Sequence, residues 1–596
     1  MTGLATGLAH AQAIAFEEAS ERLGLGAINA ARACFVDLNG DGRPDVVVRD
    51  RAQGERPGIF LNVPGKDGAG AQLVEVADTG LPAPASADVI VFADLDDDGL
   101  ADAMLARNLE PGKPAANPPV EPSRTAWFKG LGEGRFGPAQ VIEAAKPATT
   151  CAIAVGDANG DGLADLYLGN WYTSYGQSME AFTNDLLVQR RDASGAVRFE
   201  RVALPEDAET FSEERDAAGR PTYGVAMFRL APREPVALLE LNYGRRANRL
   251  WVRRGDAFAD AGAELGVDGD ADRSGAYPAW LKERAKTDPR FDRADEKPYR
   301  SHGNTFDAAI ADLNDDGLFD LVLAEITHGW AGPSSDRTRI LLRSGEAGPF
   351  AAITPNPLDR APTDADVRNW NQGDLFAEAG DLNNDGLQDV LVSSGEYPDR
   401  QQLRVWKQTD ARGFADVTNW SGLNVDGGQQ LSLADVDLDG DLDLLVGQGF
   451  NRFTPDQVSG RTPKLRLYVN QTVERRRQRR ATGLEIAGAD SNALSITIAG
   501  PGRGANRAGL GTVVSVKFSP GQSAGASSGT RTAWRQVMGP GGHSGKQRDT
   551  VLHVGLGEAQ SAAEVTVFWP DGSTSTLRDV PAGRHVIRPS EADQPK

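Results

Sequence analysis

The sequence predicts an all-β protein: a seven-bladed β-propeller over residues 14–472, followed by a small β-sandwich or barrel over 490–589. Two observations carry this. A nine-residue acidic loop, with side-chain oxygens at positions one, three, five and nine and glycine at six, occurs six times between short, β-rich apolar runs. The loops start at 37, 94, 157, 312, 381 and 435, so one interval is about double the others and leaves room for a seventh unit without the acids.

The loops are read first, because their chemistry is the most specific. The oxygen-bearing positions are Asp37, Asn39, Asp41 and Asp45; Asp94, Asp96, Asp98 and Asp102; Asp157, Asn159, Asp161 and Asp165; Asp312, Asn314, Asp316 and Asp320; Asp381, Asn383, Asp385 and Asp389; and Asp435, Asp437, Asp439 and Asp443. A hard cation taking six to eight oxygen ligands suits this spacing, with the sixth-position glycine allowing the tight turn and the seventh residue adding its carbonyl. About six Ca²⁺ ions are therefore expected. An EF-hand starts the same way but needs a bidentate Glu at position twelve. The residues there are Val48, Leu105, Leu168, Leu323, Val392 and Val446, which exclude it. Each loop instead joins two buried strands.

Within the long interval, Thr222–Leu230 and Pro235–Gly244 repeat the strand pair, with Ala231-Pro232-Arg233-Glu234 in place of the acids. Each repeat carries two further strand-like pieces. Four strands per repeat, seven times, is the pattern of a propeller, which removes exposed sheet edges by closing on itself. The piece at Phe16 precedes the first loop and is expected to close the ring by pairing near Tyr468. Two long insertions, about 172–220 and 268–300, are where a rigid ring would carry a binding site.

The formal charge of −21 argues against nucleic-acid and anionic-membrane partners, although much of the acid sits in the loops. Loops of this kind load at the millimolar calcium found outside the cytosol, which predicts an exported protein, secreted or periplasmic. Residues 1–13 read as a signal-peptide remnant without a positive front, or as a disordered tail. No run of eighteen apolar residues exists, so no transmembrane segment is expected. Cys34 and Cys151 are too few for a disulfide framework and read as buried small hydrophobes, with a single bridge between them as the alternative. Residues 473–489 form a basic linker containing Arg475-Arg476-Arg477, and 590–596 a tail.

At this point the motifs are specific enough for a family resemblance. The loops with their Gly-Leu-x-Asp tails resemble FG-GAP/VCBS-type propeller repeats with integrin-α-like calcium loops. Asn506-Arg507-Ala508-Gly509-Leu510-Gly511, Leu552–Gly557 and Val567–Gly572 look like an ASPIC/UnbV domain. The pairing is similar to the cartilage acidic protein 1-like family. That resemblance implies an exported, calcium-binding, often adhesion-associated protein, and the UnbV name also attaches to natural-product pathways. The chain departs from the pattern at its fourth repeat and at Gly539-Pro540-Gly541-Gly542-His543-Ser544.

Phosphate loops and His-Glu-x-x-His are absent. His302 and His328 flank the loop at 312 and are expected at the mouth opposite the calcium loops. Glu325, Trp330, Asp374, Glu396, Trp171 and Trp370 fall at comparable strand ends. His302, Glu325 and His328 together would suit an additional transition metal; the alternative is that both imidazoles only bond loop backbone. Two functions stay open. One is a calcium-rigidified interaction or adhesion platform for a protein or carbohydrate ligand. The other is a lyase-type or biosynthetic enzyme with its site at that mouth, and convergence of those donors on one point would favour it.

Overall fold

The computed structural model describes residues 14–49, 56–65, 70–83, 88–107, 123–216, 218–360, 371–395, 402–423, 425–451, 453–472, 492–500, 506–521 and 529–589. The predicted segments 1–13, 473–489 and 590–596, together with Glu396 and Trp370, lie outside them.

Successive antiparallel hairpins build seven ring sheets among the described residues, five of four strands and two, the fourth and fifth, with a fifth strand added. The first contains Arg32–Val36, Asp45–Arg49, Gly58–Pro64 and Ala71–Glu75. The acidic loops connect the first strand of a sheet to its second. Both strands are almost wholly buried, as in Thr150–Gly156 and Asp165–Asn170, because neighbouring sheets cover both faces. This explains their continuous apolar runs; the outer strand Phe136–Val141 is mostly exposed.

Consecutive sheets share apolar layers. Cys34 and Val47 pack with Ile90 and Phe92, for example, and Phe228 and Leu239 with Ile310 and Leu321. The last sheet packs on the first through Leu445 and Leu467 against Phe35 and Val46, so the ring closes. Phe16–Glu18 forms the outer strand of that last sheet, with Phe16 opposite Asn470 and Glu18 opposite Tyr468. Chain entry and exit are thereby stapled together, which is how a propeller leaves no long free edge. Cys34 and Cys151 are buried free thiols.

The fourth sheet, Thr222–Arg229, Val236–Asn242, Arg249–Arg254 and Ala257–Asp260, has the repeat's strands without its acids. The insertion after it contains a short helix, Ala279–Ala285, whose Leu281 packs with Tyr277 and Ala331.

The C-terminal strands form two sheets. Asn492–Ile498 lies between Leu552–Gly557 and Gly583–Ile587, and Val513–Phe518 lies between Arg531–Gln536 and Ser561–Phe568, which pairs with Thr574–Pro581. From this module a tongue, Gly539–Asp549, enters the middle of the ring. Gly542 and His543 pair with Val225 and Gly224, on the first strand of the fourth sheet. Arg49 donates to the Ser544 carbonyl at 2.8 Å, and the Gln547 amide exchanges two 3.0 Å bonds with the Phe92 backbone. Lys546 is fully buried, with Nζ 2.9 Å from Asp307 and 3.2 Å from Glu378. The tongue therefore bonds to at least five of the seven sheets.

Candidate functional site

All six acidic loops share one geometry. The position-one carboxylate accepts the backbone N–H of position six in each loop and of position five in all but the first, where Asp41 donates to Asn39 instead; Asp312 accepts from Asp316 at 3.3 Å and Gly317 at 3.0 Å. The position-nine carboxylate is buried; it accepts position two and a residue of the third strand, as Asp320 does from Leu313 and Arg343, each at 2.8 Å. Asp45, Asp102, Asp165, Asp389 and Asp443 repeat this pair of bonds. Position four is left-handed in every loop, at Gly40, Asp97, Gly160, Asp315, Asn384 and Leu438, and so is the glycine at six. A single left-handed non-glycine residue is strained. The ninth Asp is thus a strand-joining residue as well as a candidate ligand.

Burial, with a lesser push from neighbouring carboxylates, raises these acids: Asp320 to about 8, Asp102 to about 7 and Asp435 to about 7. A divalent cation would return them to the ionised form. The donors suit calcium. Oxygens of Asp94, Asp96 and Asp102 lie within 4.8 Å of one another, as do those of Asp435, Asp437 and Asp439. Asp96 Oδ1 and Asp437 Oδ1 are buried without a hydrogen-bond partner.

Two loops meet a lysine. The residue preceding the third-strand donor is Leu61, Val188, Leu342 or Val469 in four sheets, but Lys129 in the second and Lys407 in the sixth. Lys129 contacts Asp96 and Asp98 and is 39% exposed, free to swing into solvent. Lys407 is 11% exposed, with Nζ 2.7 Å from Asp385 Oδ2, which also accepts Asn383 Nδ2 at 3.0 Å. The loop at 381 is wholly buried beneath the C-terminal module, where Gly555 N–H donates to Asp381 at 3.1 Å. An ammonium group already serves its charge.

That module covers the loop face. Arg507 donates to Asp97, Arg531 to Asp315, and Arg584 to the Gly42 carbonyl, while His553 Nε2 bonds the Gly440 carbonyl at 3.0 Å. Arg229, at the acid-free turn of the fourth sheet, donates to Pro570.

The opposite ends of the third, fourth and fifth sheets surround a cavity of about 440 Å³ lined by Tyr172, Tyr175, Tyr243, Arg245, His328 and Trp330, among others. Trp171 backs it, its ring 5.2 Å from that of Tyr243 and 5.0 Å from that of Tyr172. Gly244 is required here: at φ +72°, a Cβ would lie 2.3 Å from the Tyr172 hydroxyl. Asn304 Oδ1 accepts the N–H of Gly244 at 3.0 Å and of Arg245 at 3.2 Å, holding Arg245 at φ +57°.

The mouth residues expected from sequence are divided. His328 and Trp330 line the cavity, stacked at 5.4 Å. Trp171 stands behind it. Glu325 is fully buried, bonded to Thr305, and burial with the nearby Asp336 raises it to about 8. Asp374 is buried under Arg360, Thr338 and Gln372 as a structural anchor. His302 is buried beside Gly269 and Asp336, its N–H donating to Arg245, and burial lowers it to about 4. The fifth sheet's pairing stops at Asn304–Ile326, and the second strand then pairs with Asn371–Gly373, so the chain before Asn304 turns away toward Arg245. Among the described residues, His302, Glu325 and His328 do not form a metal-sized donor group. Sequence reasoning missed Tyr243 and Arg245; their trace was Asn242-Tyr243-Gly244-Arg245-Arg246 at the strand end corresponding to Glu325–His328.

Acidic hairpin loops repeated on successive sheets define a propeller of FG-GAP-like repeats, and that family's model matches residues 37–105 and 381–446. The covering module matches the ASPIC and UnbV model over residues 502–594, so the chain joins both families' units. No curated protein matches it. Among solved structures, an Agrocybe aegerita lectin described for specific recognition of non-reducing terminal N-acetylglucosamine is similar at 14% identity. The match has a TM-score of 0.36 and covers 67% of this chain and 83% of that one. The V. cholerae biofilm matrix protein Bap1 is similar at 11% identity and TM-score 0.31, covering 76% and 91%.

Proposed function

We propose that this chain is an exported, calcium-braced binding protein that presents a saccharide site at the mouth away from its acidic loops. One observation carries the reading: the loop face is occupied by the protein's own C-terminal module, whereas the other mouth holds a cavity of about 440 Å³ walled by tyrosine and tryptophan. That volume lies in the range of small-molecule sites, and flat aromatic faces with polar tips suit the apolar faces and hydroxyls of a sugar ring. Calcium is structural in this reading. Five loops hold it; Lys407 replaces it in the loop at 381.

The test of the site is binding to an oligosaccharide panel with and without Tyr175→Ala, since Tyr175 is 41% exposed at the cavity and its removal spares the core. Binding should weaken at least tenfold. Binding that survives unchanged, or a parent that takes no saccharide, overturns the reading. Elemental analysis should find five calcium ions in the parent. Lys407→Leu, the residue type of the neighbouring sheets, should admit a sixth; six ions in both would refute the lysine assignment.

A further inference from the structure

We infer that the mouth site takes an acidic saccharide, a sugar carrying a carboxylate, and that Arg245 is the residue that reads the charge. The inference rests on the saccharide reading above and adds the ligand's charge.

Arg245 lines the cavity and is only 4% exposed. Its Nη2 is bound on one side, to the Glu296 carboxylate and, at 3.3 Å, to the Tyr277 hydroxyl. Its Nη1 is buried and has no hydrogen-bond partner. A buried donor of this kind is costly to leave unmade, and a charge-assisted bond from Nη1 to a carboxylate is about twice as strong as one to a neutral acceptor.

The surroundings fix the fork in place. Arg245 lies over Trp330 at 5.2 Å and Tyr277 at 5.7 Å, and its left-handed backbone is clamped by Asn304. Arg300, also lining the cavity, shares Glu296 at 2.9 Å and donates to the Gly244 carbonyl at 3.3 Å. Two arginines thus share one carboxylate. A third, Arg293, stacks on the Trp330 ring at 4.5 Å. Of the residues lining the cavity, Arg245 and Arg300 are cationic and Glu213 is acidic, and Glu296 is shared between the two arginines. A neutral sugar could answer Nη1 only through a hydroxyl or ring oxygen, a weaker acceptor for a guanidinium than a carboxylate.

The experiment is calorimetric titration of the calcium-loaded full chain with tri-galacturonate and with the neutral galactose trisaccharide. Parent protein should bind the uronate at least tenfold more tightly, with the preference shrinking as salt rises from about 20 to about 500 mM, which shortens the screening length from about 20 Å to about 4 Å. Arg245→Lys keeps a charge for Glu296 but loses the fork, and should erase most of the preference while unfolding at the parent's temperature. Arg300→Gln should weaken the uronate less. Equal binding of both sugars would overturn the charge inference and leave the saccharide site standing. Binding of neither would overturn both, and an Arg245→Lys variant with the parent's preference would overturn the role of Arg245.

Discussion

Replacing Lys546 with methionine tests whether the tongue holds the ring and the C-terminal module together. Methionine keeps most of the lysine stem, so packing is largely preserved and the change is one of charge. The ammonium group is fully buried, 2.9 Å from Asp307 Oδ2 and 3.2 Å from Glu378 Oε1, with the Ala377 and Ala308 carbonyls at 2.5 and 3.3 Å. Asp307 retains N–H bonds from Ala377 at 3.1 Å and His543 at 3.3 Å, but loses its counter-charge. Removing one partner of a buried ion pair costs about 3–5 kcal/mol, because the other charge stays uncompensated.

Guanidinium unfolding in saturating calcium should show that loss, and amide exchange at Gly224 and Val225, which pair with the tongue, should accelerate. Lys546→Met/Asp307→Asn should recover part of the stability, since the stranded charge is gone. The sign with pH is also fixed. Burial raises Glu378 and the Lys546 charge pulls it back, so without Lys546 it binds a proton more readily than in the unfolded chain and the deficit should shrink as pH falls from about 7 to about 5. An unchanged midpoint, or a deficit that grows in acid, would refute the reasoning.

Calcium removal should lower the unfolding temperature, since each ion bound only by the folded state adds about 2.7 kcal/mol at a hundred times its Kd. Asp316→Ala should weaken the protein in calcium and hardly at all in chelator, whereas Arg233→Ala, on the acid-free turn, should act equally in both; matching behaviour would contradict the loop assignment. His543 is held neutral, lowered to about 3 by burial first and then by the positive charge of Arg32. The unfolded chain takes up that proton below about 6.5 and the folded one does not, so this histidine makes stability fall as pH drops from 6.5 toward 3. At pH 5 His543→Gln should have lost less stability relative to pH 7 than the parent, by up to about 2 kcal/mol; parallel pH curves would show that His543 is not neutral in the fold.

The sequence by itself determined whatever is encoded within one repeat. The acids, the sixth glycine and the apolar flanks act over nine to twenty residues, so loops, hairpins and the acid-free fourth unit were legible, and so was Phe16, whose apolar piece had no partner of its own. The tertiary structure alone decided what distant segments do to one another. Nothing local in Gly539–Asp549 says that it enters the ring or that Lys546 meets Asp307, more than two hundred residues earlier. Periodicity likewise placed His302 and His328 on adjacent strand ends, but pairing between their strands stops at Asn304 and Arg245 captures the backbone of His302. The cavity is made where three sheets end, from Tyr172, Arg245 and Trp330 on separate connections, because a closed ring brings its loop ends together irrespective of their separation along the chain.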